Sequence, residues 1–157
     1  MEKVAIFADV QNIYYTVKQS YRKHFNYNAF WTRATAGREV VAAFAYAIDK
    51  GDKKQREFQQ ILRAIGFEVK LKPYIQRSDG SAKGDWDVGI TLDAIEWAEK
   101  TDVVILLSGD GDFDQLLEKI GTQYKARTEV YGVPALTAPA LIHAASRFNP
   151  IEQDLLM

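Results

Sequence analysis

The sequence predicts an α/β fold, a three-layer α/β/α sandwich around a largely parallel five-stranded sheet. Short apolar runs of strand length alternate along the chain with segments whose apolar side chains repeat at helical spacing. The runs are apolar at consecutive positions, which is typical of strands covered on both faces by helices. The length of 157 residues, 47% of them apolar, fits one domain over residues 1–157.

The first half of the chain holds two predicted strands and two predicted helices. Val4–Asp9 and Val40–Ile48 are the strands, each an almost unbroken apolar run. Residues 13–24 and 52–65 carry apolar side chains at helical spacing and are the helices. The intervening residues 26–37 are aromatic without a regular period, so we expect an irregular connection there.

The second half continues the alternation of strands and helices. It is predicted to contain, in order, a strand at 68–74, a polar loop at 76–84, a helix at 85–100, a strand at 102–108, a helix at 112–120, a strand at 128–133 and a short helix at 139–146. Gly121 is the predicted end of the helix at 112–120, since glycine commonly terminates helices. Right-handed crossovers would place the strand at 102–108 beside the first strand.

The charged residues are segregated, although the formal net charge is only −1. Residues 1–78 contain 14 Lys and Arg against 7 Asp and Glu, whereas residues 79–114 contain 2 against 10. A metal-dependent phosphodiesterase needs both parts, because basic residues attract phosphates and acidic residues bind cations that in turn bind phosphate. The alternative interpretation is two solvated faces whose charges are placed unevenly by chance.

The composition excludes several kinds of site. The absence of cysteine excludes disulfides, thiolate catalysis and Cys-based zinc sites. His24 and His143 are far apart in the sequence, so any metal is expected to be a hard cation bound by carboxylates. The Walker A, dinucleotide-binding and Gly-x-Ser-x-Gly motifs are also absent, which disfavours nucleotide-driven motors, Rossmann oxidoreductases and common serine hydrolases.

The N-terminal residues lead directly into a strand without a basic leader. No apolar stretch approaches the roughly 20 residues that a membrane span needs. We therefore expect a cytoplasmic protein with no membrane partner.

Polar side chains cluster where predicted strands end and helices begin. In chain order they are Asp9 and Asn12 after the first strand, Asp85 and Asp87 at the start of the helix after the third strand, and Ser108, Asp110 and Asp112 after the strand at 102–108. In parallel sheets ligands bind beyond the carboxyl ends of the strands, so these connections are expected to meet at one edge.

Carboxylates brought together in this way repel one another unless a cation neutralises them. Mg²⁺ prefers one or two carboxylates together with waters and phosphate oxygens. Such an ion polarises a phosphoryl oxygen and lowers the pKa of a bound water that attacks in line. The aspartates therefore indicate a Mg²⁺ or Mn²⁺ site for phosphodiester hydrolysis.

Several of these aspartates have a structural alternative. Asp112, with Gln115 three residues on, and Asp85 both match helix N-caps, and Asp87 would suit the first turn of its helix. Asp9 has no such routine role at the end of an apolar parallel strand, which favours a functional role for it.

Three further residues are outer candidates. Asp93 lies on the helix of Asp87 but about 120° around it. Lys83 stands beside Asp85 in the polar loop and would either meet a phosphate or remain solvated. Asp114 falls within a predicted helix, where surface charge is the simpler interpretation.

Five aromatic residues would either stack on nucleic-acid bases or pack in the core. They are Tyr14, Tyr15, Tyr27, Phe30 and Trp31. Core packing is the favoured interpretation for most of them, and the region around Trp31 would also suit a homodimer contact.

Three motifs occur in order along the chain: Ile-Phe-Ala-Asp-Val-Gln-Asn at 6–12, Lys-Gly-Asp-Trp-Asp-Val at 83–88 and Leu-Ser-Gly-Asp-Gly-Asp-Phe at 107–113. Together they resemble the NYN domain family, specifically its bacterial LabA-like branch. The resemblance implies a PIN-like, Rossmannoid sheet sandwiched by helices, with an acidic Mg²⁺ or Mn²⁺ site that cleaves RNA. The positions that match the family pattern are Asp9, Asn12, Asp87, Ser108, Asp110 and Asp112. The second motif offers Asp85 as well as Asp87, where many relatives have one aspartate.

The leading hypothesis is a metal-dependent ribonuclease that acts on single-stranded or structured RNA. Four carboxylates would bind the metal directly or through water: Asp9, Asp87, Asp110 and Asp112. Asn12 and Ser108 would orient them, with Lys83, Asp85 and Asp93 in supporting positions. The alternative is a catalytically weak or inactive module of the same fold that binds RNA or a protein partner in a regulatory complex. A small-molecule phosphatase is disfavoured, because the haloacid-dehalogenase motif has an aspartate where position 11 is Gln.

Overall fold

The computed structural model describes residues 1–73, 75–76, 82–83 and 85–157. Residues 75–76 and 82–83 are described by their backbone alone. Most of the predicted loop at 76–84 therefore lies outside the described residues, as does the side chain of Lys83.

The described residues form one six-stranded sheet and a separate two-stranded pair. The strands are β1 (Glu2–Asp9), β2 (Arg38–Asp49), β3 (Glu68–Pro73), β4 (Ile75–Gln76), β5 (Ala82–Lys83), β6 (Val103–Leu107), β7 (Arg127–Gly132) and β8 (Arg147–Pro150). The large sheet has the order β3-β2-β1-β6-β7-β8 and every pairing in it is parallel. β4 and β5 pair antiparallel. The predicted parallel sheet is confirmed, with six strands instead of five.

The additional strand is β8, at the edge of the sheet beside β7. Its sequence, Arg-Phe-Asn-Pro, is neither an apolar run nor an alternating one. Proline is tolerated there because an edge strand pairs on one side only. The hydrophobic pattern therefore contained no signal for this strand.

Helices cover both faces of the sheet. They are α1 (Val10–Tyr21), α2 (Tyr27–Thr35), α3 (Lys53–Ile65), α4 (Asp87–Ala98), α5 (Asp114–Lys119) and α6 (Pro139–Ala144). The apolar sides of α1, α2 and α3 share one core cluster with one face of the sheet. Those of α4, α5 and α6 share a second cluster with the opposite face. The three-layer sandwich is therefore confirmed.

The expectation of an irregular connection at 26–37 was wrong, because α2 forms within it. The Asn26 side chain caps this helix by accepting a hydrogen bond from the Ala29 backbone N at 3.0 Å. Tyr27, Phe30 and Ala34 are buried, and they repeat at helical spacing. Their burial stabilises a helix that the low helix propensity of aromatic residues does not suggest.

The predicted helix at 112–120 is shorter at its start and continues past Gly121. A 3₁₀ turn occupies Gly111–Phe113, α5 follows, and a π-helical turn extends over Ile120–Tyr124. The stretch ends at Lys125, whose φ of 56° is left-handed. Gly121 was the wrong stop, since it lies within the helical turns.

β1 and β6 are neighbours at the centre of the sheet, as the right-handed crossovers predict. Ala8 pairs with Leu107 in the ladder, so Asp9 and Ser108 emerge side by side at the carboxyl end of the two strands. Within the described part of the chain, no helix is both long and apolar enough to cross a membrane.

Candidate metal centre

Asp9 is the last residue of β1 and the N-cap of α1, so the expectation that it has no capping role was wrong. Its side chain is buried, with 8% of the residue exposed. One carboxylate oxygen accepts a hydrogen bond from Ser108 Oγ at 3.1 Å, and the other accepts a long one from the Asn12 backbone N at 3.5 Å. Burial raises the pKa of Asp9 to about 6, against the effect of these two donors. The negative charges of Asp110 and Asp85 raise it further.

The loop after β6 is tied to α1 by hydrogen bonds from both sides. Asn12 Oδ1 accepts from the Gly109 backbone N at 2.9 Å. Ser108 Oγ, besides donating to Asp9, accepts from the Asp110 backbone N at 3.2 Å. Asp110 Oδ1 in turn accepts from the Asp112 backbone N at 2.9 Å. The polar groups at the ends of β1 and β6 therefore position this loop together.

Gly109 and Gly111 allow this loop to pass close to the chain around residues 136–138. A Cβ at Gly109 would lie 2.9 Å from the Leu136 carbonyl oxygen, and one at Gly111 would lie 2.7 Å from Ala138 Cβ. Sequence reasoning did not assign either glycine a role, although both belong to the third motif.

Asp87 reaches the same edge of the sheet from the start of α4. Trp86 precedes the helix, and its Nε1 donates to the Ala47 carbonyl oxygen near the end of β2 at 2.9 Å. Asp85 Oδ1 accepts from the Asp87 backbone N at 3.2 Å. Gly89 leaves room for the indole, since a Cβ there would lie 2.6 Å from Trp86 Cε3. Trp86 positions Asp87, and no pattern in the sequence indicated this.

Asp87, Asp110 and Asp112 each present a carboxylate oxygen within 4.8 Å of the other two. We call them the three-carboxylate group. Burial is the main cause that raises the pKa of Asp87 to about 7, followed by its hydrogen bond to Asp110. The charges of Asp110, Asp85 and Asp9 act in the same direction. Asp112 is exposed, so the group is accessible from solvent.

The structure brings some of the other predicted residues close to this group and places one elsewhere. Asp9 and Asp85 are not among the three, but the charge of each raises the pKa of Asp87. Asp93 accepts hydrogen bonds from Tyr46 Oη and Lys70 Nζ, both at 2.7 Å. It is therefore an ion-paired residue on the β2 and β3 side of α4.

The capping alternatives for Asp85 and Asp112 were wrong in detail. Trp86 is the N-cap of α4 and makes no side-chain capping bond, while Asp110 caps the 3₁₀ turn that contains Asp112. The Gln115 backbone N donates to Asp114, so the box between Asp112 and Gln115 does not form. The side chain of Asp112 is thus left to face the other two carboxylates.

The aromatic residues divide between core and surface. Tyr27 and Phe30 are buried, which confirms core packing for them. Trp31 is half-buried with its ring 5.1 Å from that of Phe67. Tyr14 and Tyr15, on α1 just after Asp9, remain 43% and 52% exposed.

Comparison with known proteins shows where this geometry belongs. The family model of the NYN domain matches residues 3–152. The chain belongs to the NYN domain family. This is a PIN-like nuclease family whose members act on nucleic acids and usually use divalent metal ions.

The relatives of this NYN domain support the LabA-like branch. This chain is 28% identical over 157 residues to "Low amplitude and bright protein LabA" of Synechococcus elongatus, and the match covers 93% of this chain and 82% of that protein. It is 60% identical to a Vibrio parahaemolyticus protein of unknown function whose crystal structure gives a TM-score of 0.95 over 99% of this chain and 96% of that one. A ribokinase from Giardia lamblia shares only the fold, with a TM-score of 0.50 at 14% identity over 98% and 58% of the two chains.

Proposed function

We propose that this NYN domain is a metal-dependent ribonuclease that hydrolyses RNA phosphodiester bonds at an aspartate-bound Mg²⁺ or Mn²⁺ site. The observation that carries the proposal is the three-carboxylate group, whose oxygens lie within 4.8 Å of one another at the carboxyl edge of the parallel sheet. That edge is where open α/β sheets bind their ligands.

The donor set suits a hard divalent cation. All three side chains offer carboxylate oxygens, and neither histidine belongs to the group. The raised pKa of Asp87 also favours a cation site. Carboxylates that are so close together and partly buried hold a proton until a cation replaces it. When bound, the cation would polarise the phosphoryl oxygen and lower the pKa of a water molecule.

The residues of the chain would then have distinct tasks. Asp87, Asp110 and Asp112 would bind the cation. Asp9 would hold Ser108 in place and add negative charge behind the group, which favours the bound cation. Asn12 would fix the loop after β6 by its contact with the Gly109 backbone. Catalysis would thus depend on groups that are preorganised by hydrogen bonds before RNA arrives.

Two neighbouring features suit RNA as the substrate. Tyr14 and Tyr15 stand exposed on α1 within two turns of Asp9, where aromatic rings are able to stack on unpaired bases. Lys72 Nζ donates to the Asp85 carbonyl oxygen at 3.1 Å and lies 4.4 Å from the centre of the Trp86 ring. Its charge would bind a phosphate beside the aspartates.

The test is cleavage of generic single-stranded RNA in Mg²⁺ or Mn²⁺ by the wild type and by Asp87→Asn, Asp110→Asn and Asp112→Asn. We expect each substitution to lower the rate about 100-fold or more, because each removes a charged ligand of the cation. Mn²⁺ binding, measured by calorimetry without RNA, should weaken in the same variants.

Asp114→Asn is the matched control, since it removes one negative charge two positions from Asp112 and keeps an oxygen that the Gln115 backbone N is able to use. It should retain wild-type activity. Equal residual cleavage in the wild type and the three variants would contradict a ribonuclease. Mn²⁺ binding that depends on the aspartates without any cleavage would indicate the binding module instead.

A further inference from the structure

A second polar site lies between the end of α2, the start of β2 and the strands β7 and β8. It is a cleft of about 220 Å³ whose lining includes Arg33, Arg38, Tyr131, Arg147 and Asn149, and we call it the arginine cleft. Arg38 contacts Glu2 at the start of β1, whereas Asp9 ends that strand. The cleft shares no lining residue with the three-carboxylate group.

Asn149 carries an unused hydrogen-bond donor at this cleft. The residue is only 4% exposed, and its Nδ2 has no hydrogen-bond partner among the described residues. A buried donor without a partner destabilises the folded state, so native proteins rarely retain one without a reason. A ligand that accepts hydrogen bonds would remove this cost.

The cleft also contains a carboxylate, but Arg38 neutralises it. Arg38 donates to both oxygens of Glu129, at 2.9 and 2.7 Å, and its Nε lies 2.9 Å from Glu2 Oε1. Glu2 is paired with Arg127 as well. These two carboxylates and two guanidinium groups balance, so this cluster neither attracts nor repels an anion by net charge.

Arg33 and Arg147 add positive charge beyond this balanced cluster. Arg33 pairs at 3.1 Å with Asp154, which is 66% exposed, and a pair so open to solvent is weak. Arg147 has no carboxylate within ion-pair distance in the described part of the chain. The Arg33 guanidinium lies 5.9 Å from the centre of the Tyr131 ring, and Arg147 lines the same cleft as this tyrosine.

We propose that the arginine cleft binds a phosphate group, with Arg147 and Arg33 supplying charge and Asn149 Nδ2 donating a hydrogen bond. Planar guanidinium groups match phosphate oxygens, and a neutral amide donor adds selectivity for an acceptor. The cleft is smaller than the roughly 300–1,000 Å³ of sites for whole drug-sized ligands. It therefore suits one phosphate, either free, on a nucleotide, or in an RNA backbone.

The experiment follows the Asn149 side-chain amide by ¹H–¹⁵N NMR while inorganic phosphate is added in the presence of EDTA. We expect a saturable shift of this resonance. Arg147→Gln should weaken phosphate binding about tenfold, because a hydrogen bond to a charged group contributes about 1.5 kcal/mol or more. Arg63→Gln, which removes an exposed arginine on α3, is the control and should bind as the wild type does.

The inference does not rest on the proposed function, because every protein in this experiment keeps its aspartates and EDTA removes divalent metal ions. No saturable shift, or equal phosphate affinity in Arg147→Gln and Arg63→Gln, would overturn it. Asn149→Leu should also weaken binding, and its melting temperature establishes that the variant folds. If Asn149→Leu does not fold, the two arginine variants decide the question.

Two further arms distinguish the source of the phosphate. AMP and a short single-stranded RNA are titrated into the same proteins, again in EDTA. A loss in Arg147→Gln that is confined to phosphate and AMP supports a small-molecule site. An equal loss with RNA supports a contact to the RNA backbone.

Discussion

At the scale of single residues, the contact between Asp9 and Ser108 joins positions that are 99 apart in the sequence. Ser108 is fully buried, and its hydroxyl both donates to the Asp9 carboxylate and accepts from the Asp110 backbone. One oxygen atom therefore connects β1 to the loop that carries two of the three carboxylates.

Ser108→Ala should lower the free energy of unfolding by about 1–3 kcal/mol, because it leaves one oxygen of the buried Asp9 carboxylate and the Asp110 N–H without a hydrogen-bond partner. Urea unfolding of the metal-free protein measures this. Ser20→Ala on the exposed side of α1 is the control and should change the free energy by less than about 0.5 kcal/mol. Equal stability of the two variants would show that this hydroxyl is not needed.

The raised pKa values of Asp9 and Asp87 predict how stability depends on pH. Their pKa values in the folded protein, about 6 and about 7, lie above the ordinary value of 3.8. The folded state therefore holds more protons than the unfolded state between about pH 4 and pH 7, so stability falls as pH rises through this range. Melting temperatures in EDTA should decline over it.

Asp87→Asn should make this decline shallower, since it removes the group with the higher pKa. Above pH 7 the variant should melt above the wild type in EDTA, and saturating Mn²⁺ should reverse that order. Parallel pH profiles of the two metal-free proteins would contradict the assignment.

At the scale of elements, the start of α4 depends on the fit between Trp86 and Gly89. Gly89→Ala would bring a Cβ to 2.6 Å from the indole and displace it from Ala47. The overpacking should cost about 1–3 kcal/mol and weaken Mn²⁺ binding through Asp87. Gly121→Ala is the control, because nothing lies within 4 Å of a Cβ there.

Thermal unfolding and calorimetric Mn²⁺ titration check both variants. The outcome that contradicts this role for Trp86 is unchanged Mn²⁺ affinity in a Gly89→Ala protein that has lost stability. That result would mean that the displaced indole does not position Asp87.

Elements with a strong hydrophobic period were predictable, and those formed by local contacts were not. β1, β2 and β6 are recognisable because their buried side chains form continuous apolar runs. α2 depends on the Asn26 cap and on aromatic burial, and β8 exists because it pairs with β7. Such tertiary contacts override local propensity, so the sequence pattern alone did not indicate these two elements.

At the scale of the whole molecule, Arg38 on β2 reaches Glu129 on β7 across the two strands between them. Glu129→Gln should lower the free energy of unfolding by about 3 kcal/mol, because it leaves a largely buried guanidinium with one carboxylate fewer. The double variant in which Arg38 and Glu129 are both replaced by Met should be more stable than the single Glu129→Gln variant. Urea unfolding measures the stability of both variants. A double variant that is less stable than Glu129→Gln would contradict this account.

The candidate site was predictable to the extent that it follows from topology. The rule that ligands bind at carboxyl ends of parallel strands selected Asp9, Asp110 and Asp112 from an ordered set of apolar runs. The role of Trp86 was not predictable, because it depends on a contact with β2 that residue spacing in the sequence does not indicate. Asp93 was only an outer candidate, and helical geometry did not reveal its ion pair with Lys70 on β3.

The central position of β1 has a consequence for synthesis of the chain. Val4 to Ala8 are fully shielded in the folded protein, with β2 on one side and β6 on the other. A nascent chain that has reached only residue 102 has no β6, so β1 remains an apolar edge that another polypeptide is able to join. The loop with Asp110 and Asp112 follows β6 directly and leaves the ribosome soon after it. The pairing that protects β1 from aggregation and the acidic site therefore form at the same stage of synthesis.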